Sequence, residues 1–120
     1  MKKTVVLGAT TNPARAAYEA VHRMVRQGVE VVPIGVRKGE VAGIAIIHGQ
    51  PPVEDVHTVT LYLNPMRQQP YYDYILEKLQ PERLIFNPGT ENPEFARRAR
   101  ARGIEVDMAC TLVMLSMGTY

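Results

Sequence analysis

The side chains with chemical reach gather behind one short apolar run. Thr4 to Leu7 leads into Gly8-Ala9-Thr10-Thr11-Asn12-Pro13-Ala14-Arg15. The glycine permits a sharp turn and lets another molecule approach the backbone. Thr10 and Thr11 bring hydroxyls, Asn12-Pro13 reads as a helix start, and Arg15 brings a cation. Such a loop between strand and helix directs free backbone N–H groups and the positive end of a helix dipole at one spot, which suits a phosphate. The expected donors are the backbone N–H groups of Ala9 to Asn12, with the Thr10 hydroxyl beside them. Neither standard phosphate signature is present. Thr10 and Pro13 stand where the dinucleotide fingerprint has its second and third glycines, and no Gly-Lys-Ser/Thr follows. The pattern also fits a strand–loop–helix start that holds no ligand.

Two further groups bear on a site. Each of the four asparagines, Asn12, Asn64, Asn87 and Asn92, precedes a proline. Asn-Pro starts turns and helices anywhere. Yet Asn12, Asn64 and Asn87 each follow an apolar run, and in a parallel sheet such loops meet at the carboxyl edge, where ligands bind. Asn64, Asn87, Pro88 and Gly89 are therefore expected to form a wall opposite the first loop. After the second apolar run comes Gly35-Val36-Arg37-Lys38. An NAD site wants an acid there for the ribose hydroxyls, whereas bases suit a ribose carrying an extra phosphate. Arg15 and Lys38, with Arg37 as a substitute, thus point to coenzyme A or NADP and away from NAD. A solvated basic turn is the other reading.

Catalytic constellations are missing. Ser116 is the sole serine and lies in the tail, so there is no nucleophile elbow. His22, His48 and His57 are scattered, with His22 expected on the surface, and no Cys/His spacing suggests a metal site. Cys110 is the one reactive side chain. Near a bound thiol cofactor it would form a mixed disulfide or hold an acyl group; otherwise it is a small buried hydrophobe. Arg97, Arg98, Arg100 and Arg102 read as a solvated helix face. Tyr71, Tyr72 and Tyr74 either stack on adenine or pack.

The elements that must position these residues follow from periodicity. Apolar runs at Thr4–Leu7, Val29–Ile34, Thr58–Leu63, Arg83–Phe86 and Ile104–Asp107 read as strands, and Ile44–Ile47, within the ambiguous stretch Val41 to Ile47, looks like a short one. Ala17, Ala20, Val21, Met24 and Val25 share a helix face closed by Gly28. A second helix opens at Gln69-Pro70, with Tyr71, Tyr74, Ile75 and Leu79 inward, and a third at Asn92-Pro93, with Phe95, Ala96 and Ala99 inward. This alternation predicts one α/β domain over residues 1–120, a doubly wound Rossmann-like fold with a parallel sheet of about five strands, helices on both faces and the first strand central. The tail, Ala109 to Met117, either covers the sheet edge or makes a homodimer contact.

Composition narrows the class. A net charge of +2 in 120 residues gives no argument for nucleic acid. One cysteine excludes an internal disulfide and fits a reducing cytoplasm, and no apolar run is long enough for a signal peptide or a membrane span. Val6-Leu7-Gly8-Ala9-Thr10, with Asn12-Pro13 and Arg15, resembles the Val-Gly-Ala-Ser, then Pro, then Arg opening of small stand-alone CoA-binding-domain proteins. These are similar to the nucleotide-binding domain of the succinyl-CoA synthetase α chain. Val31-Val32-Pro33-Ile34-Gly35-Val36 matches that family's Val-Ile-Pro-Val-Asn-Pro, Gly89 its glycine before the last long helix, and Cys110 its cysteine after the last strand. Thr10 replaces the usual Ser, Gly35-Val36 the usual Asn-Pro, and Asn87-Pro88 precedes the glycine where Gln or Glu often does. The resemblance implies a CoA-type site across Gly8 to Arg15, with adenosine contacts near Gly35 to Lys38. The resulting expectation is a non-catalytic module for coenzyme A or an acyl-CoA. The rivals are an NADP-dependent redox enzyme or sensor, and an interaction or regulatory subunit that has lost its ligand. Gly8→Val and Asn87→Ala are both expected to leave the fold intact, the former blocking ligand approach.

Overall fold

The computed structural model describes residues 2–120. Seven strands form one sheet: β1 (Thr4–Leu7), β2 (Val31–Gly35), β3 (Gly39–Val41), β4 (Ile44–His48), β5 (Thr58–Leu61), β6 (Arg83–Phe86) and β7 (Glu105–Met108). Their spatial order is β3-β4-β2-β1-β5-β6-β7, so β1 is central as expected. Burial explains its place: Val5, Val6 and Leu7 are fully enclosed, and a strand apolar on both faces is stable only with helices above and below.

Those helices are α1 (Ala16–Arg26), α2 (Pro65–Gln68), α3 (Pro93–Ala101) and α4 (Thr111–Met117). One face of the sheet, with Val5, Leu7, Val59, Leu61, Leu84 and Phe86, packs on Tyr72, Ile75, Leu79, Phe95, Ala96 and Ala99. The other face, with Val6 and Val31, packs on Ala17, Ala20, Val21 and Met24 of α1 and on Leu115 of α4. Val25, expected inward, is 38% exposed.

The expected sheet of about five parallel strands is corrected to seven with one antiparallel pair. Gly39–Val41 pairs antiparallel with β4, across a tight turn at Ala42-Gly43 where both residues have positive φ (53° and 79°). A strand reading Gly-Glu-Val carries almost no apolar alternation, which hides it from periodicity. The second helix is also corrected. It starts at Pro65, capped by Asn64, then passes through a 3₁₀ turn at Gln69–Tyr71 into a π-helical segment, Tyr74–Leu79. Pro70 has no N–H to donate, so the helical ladder is interrupted there. Tyr72, just before this segment, and Leu76, within it, are buried in the core, beside residues expected there. The tail forms α4 and closes over α1, where Arg23 donates to Ser116 Oγ (2.7 Å) and Gln27 to the Leu115 carbonyl (3.3 Å).

Candidate functional site

At the carboxyl edge of the sheet, the loops leaving β1, β5 and β6 enclose a cleft of about 510 Å³, within the range of small-molecule sites. Gly8, Ala9, Thr10, Arg15, Ala16 and Ala17 form one wall, Asn64, Arg67, Pro88, Gly89 and Thr90 the other, and Tyr62 and Leu63 line the space between, with Val36 at one end. A larger concavity, about 780 Å³, lies at the amino edge, where His57, Arg83 and Arg102 alternate with Glu82 and Glu105. Mixed charge and distance from the crossover loops make it the poorer ligand site. Among the described residues no three His, Cys, Asp or Glu side chains are grouped to hold a metal.

The first loop differs from its sequence reading. The Gly8 and Ala9 N–H groups both donate to the Ile34 carbonyl (2.9 Å each). The Asn12 N–H donates to Thr10 Oγ1 (3.1 Å), and Asn12 Oδ1 accepts from the Ala14 N–H (3.0 Å). Ala9 and Asn12 are thus not free donors, and Asn12-Pro13 closes a side-chain-to-backbone turn instead of starting the helix. The helix starts at Ala16, with Arg15 at the capping position and no side-chain cap. Among the described residues, the N–H groups of Thr10, Thr11, Ala16 and Ala17 have no acceptor. Ala16 and Ala17, which sequence reasoning missed, line the cleft, so the first turn of α1 presents the donors that the loop was expected to supply.

Two glycines seat this loop. A Cβ on Gly35 would stand 2.4 Å from the Ala9 carbonyl oxygen, and one on Gly39 2.6 Å from Thr11 Cγ2. Gly35 therefore seats the first loop through its lack of a side chain. Gly8, at φ +102°, would bring a Cβ to 3.0 Å from the Tyr62 backbone. Val36 is 58% exposed and reaches the cleft. Arg37 and Lys38 are exposed and lie outside its lining.

The opposite wall is similarly mixed. Asn64 lines the cleft and caps α2, accepting from the Arg67 N–H (2.9 Å). Arg67 is the cation that sequence reasoning missed. The available signal was position alone, since it lies one turn beyond β5. Arg15 and Arg67 are exposed, enter no ion pair among the described residues, and share a lining that holds no carboxylate. Glu91, just outside, folds back to accept from the Gly89 N–H (2.9 Å). Asn87 does not line the wall. It is 2% exposed, its Nδ2 donates to Thr60 Oγ1 (2.7 Å) and the Leu61 carbonyl (2.8 Å), and its Oδ1 accepts from the Thr111 N–H (2.8 Å). It ties the start of α4 to β5, and Pro88 to Thr90 make the wall.

The Tyr62 phenol sits in the floor with its hydroxyl buried and unpartnered. Burial, above all, pushes its pKa up to about 12, so it remains a neutral surface. Cys110 is half-buried at the head of α4, outside the cleft lining. His22, expected at the surface, is half-buried against Tyr18 (ring centroids 4.5 Å apart), with Nε2 enclosed and unpartnered.

Residues 2–116 match the model of a family described as a CoA binding domain. A crystal structure of an uncharacterized protein is 52% identical, with a TM-score of 0.96, covering 100% of this chain and 98% of that one. A conserved hypothetical protein from Pyrococcus furiosus is 23% identical (TM-score 0.82; 94% and 98% covered). A hypothetical protein from Pyrococcus horikoshii is 25% identical (TM-score 0.82; 97% and 82% covered). No protein of curated function matches the chain. Among the described residues no helix is long and apolar enough to cross a membrane.

Proposed function

The chain belongs to the CoA-binding domain family, and on that premise we propose that it holds coenzyme A or an acyl-CoA in the carboxyl-edge cleft and does not turn it over alone. The observation that carries this reading is the uncapped start of α1. Among the described residues, the N–H groups of Thr10, Ala16 and Ala17, which line the cleft, and of Thr11 next in the loop have no acceptors, and the lining bears two unpaired arginines and no acid. The helix dipole and these donors favour a diphosphate, and Arg15 and Arg67 offer it forked charge. The pantetheine arm then crosses Tyr62 toward Asn64 and Gly89. Arg37 and Lys38, exposed on the loop before β3, reach the third phosphoryl group on the ribose from outside. The same bases would serve the extra phosphate of NADP.

Thermal shift in CoA, NADP and NAD, each at saturating concentration, is the direct test. A ligand present at 100 times its dissociation constant stabilises by about 2.7 kcal/mol, which for a domain of this size raises Tm by about 10 °C. CoA is expected to give that shift, NADP a smaller one through the phosphate groups the two share, and NAD the least. Mass spectrometry of small molecules released from freshly purified protein is the companion measurement. A flat response to every nucleotide, with a protein partner co-purifying, overturns the proposal in favour of an interaction module.

A further inference from the structure

Gln68 is fully buried behind the cleft wall that carries Asn64 and Gly89. Both of its N–H donors and its carbonyl oxygen are engaged there. Its Nε2 donates to the Leu63 carbonyl (2.8 Å) and to the Thr90 carbonyl (2.8 Å). Its Oε1 accepts from Asn92 Nδ2 (2.9 Å), which donates also to the Tyr72 hydroxyl (2.7 Å). Tyr72 in turn lies flat on Phe95, 4.2 Å away at 12°. The two carbonyls belong to different crossovers. Leu63 leaves β5 and Thr90 follows β6, and both residues line the cleft. One planar amide, with two diverging donors, therefore fixes the distance between two stretches of irregular backbone.

Filling the space does not require this arrangement. An apolar side chain of similar volume would fill the space, but it would orphan the Leu63 and Thr90 carbonyls, at a cost in stability, and leave the two loops free to drift apart. We infer that Gln68 is a positioning residue, holding the Asn64 and Gly89–Thr90 segments at the spacing that the pantetheine arm needs. The inference rests on the cleft being a CoA site. It goes further by assigning the two halves of the ligand to separate supports. The adenosine diphosphate half is seated chiefly by α1, Gly35 and Gly39, with Arg67 its one support from the Gln68 side, and the pantetheine half depends on the buried amide.

The test compares CoA with ADP, which lacks pantetheine, by calorimetric titration of wild type, Gln68→Met and a control, Leu79→Ala, placed in the core away from the cleft. Gln68→Met is expected to weaken CoA by about tenfold, the loss of roughly one good hydrogen bond's worth of affinity, and to weaken ADP, which reaches this wall only through Arg67, far less. Leu79→Ala is expected to lower Tm while leaving both affinities as they were. Should Gln68→Met fail to fold, Asn92→Ser keeps a capping hydroxyl for α3 but deletes the donor to Gln68, and the same split is expected. Equal weakening of CoA and ADP, or no weakening of CoA, overturns the role of Gln68. If wild type binds neither ligand, the reading of the cleft itself fails.

Discussion

Gly35 limits the site through the side chain it does not have. An alanine there drives a methyl group to 2.4 Å from the Ala9 carbonyl oxygen, and that oxygen is main chain, unable to swing aside. Gly35→Ala is expected to cost about 1–3 kcal/mol and to tilt Thr10 and Thr11, so CoA affinity falls even in the folded fraction; chemical denaturation with titration checks both. Gly8→Val, expected from sequence only to obstruct the ligand, must strain the fold as well, because φ is +102° and the Tyr62 backbone stands in the way. Asn87→Ala, expected from sequence to keep the fold, removes three buried hydrogen bonds. Orphaned groups of this kind cost about 1–3 kcal/mol each, so urea unfolding is expected to show a loss of about 3 kcal/mol. Arg37 and Lys38 act at longer range. The double variant Arg37→Ala/Lys38→Ala is expected to weaken CoA several-fold, roughly 1 kcal/mol for exposed charge, and to leave dephospho-CoA untouched. Equal effects on the two ligands would remove both residues from the site.

At the scale of the element, α1 trades stability for a binding surface. A helix start without a side-chain cap is costly unless something else satisfies its N–H groups. Arg15→Asp places a carboxylate at the capping position, next to the dipole's positive end. It is expected to raise stability by about 0.5–2 kcal/mol and to abolish CoA binding, opposite signs that a melting curve with and without ligand reads at once. The strand–loop–helix order was legible in the sequence because Thr4–Leu7 and the Ala17, Ala20, Val21 and Met24 stripe are periodic. The helix's true start was not. Asn-Pro has the same composition whether the asparagine caps a helix, as Asn64 and Asn92 do, or closes a turn, as Asn12 does. Which N–H groups stay free depends on Ile34 and Thr10 lying where they do, a tertiary fact. β3 and the π-helical segment escaped for related reasons: one has hardly any apolar side chains, and the other breaks the helical period.

For the molecule as a whole, the sheet separates two chemistries. Donors and cations gather at the carboxyl edge, while the amino edge holds a tight polar joint. There Arg83, 5% exposed, donates through Nε to Thr58 Oγ1 (3.0 Å) and through Nη1 to the Tyr120 carbonyl (2.8 Å), and its guanidinium lies 4.5 Å from the Tyr120 ring centroid. Tyr120 shares a 2.6 Å hydrogen bond with Thr4 Oγ1. His57 sits beside this joint, with Nδ1 2.7 Å from Thr58 Oγ1. Burial is the main cause holding its pKa below 6.5. Arg83 and Lys2 push the same way, and Glu82 and Glu105 oppose. The sign of the linkage follows. Below about pH 6.5 the unfolded chain binds this proton more readily than the folded one, so protonation favours unfolding and stability rises with pH across that range. Wild type is therefore expected to lose Tm as pH falls from about 7.5 to about 5.5, above the range in which ordinary carboxylates titrate. His57→Gln, which keeps a polar group near Thr58 but cannot titrate, is expected to flatten that slope. An unchanged slope in the variant would place the pH sensitivity elsewhere. Because the amino edge lies across the sheet from the cleft, CoA affinity corrected for the folded fraction is expected to be the same in both proteins.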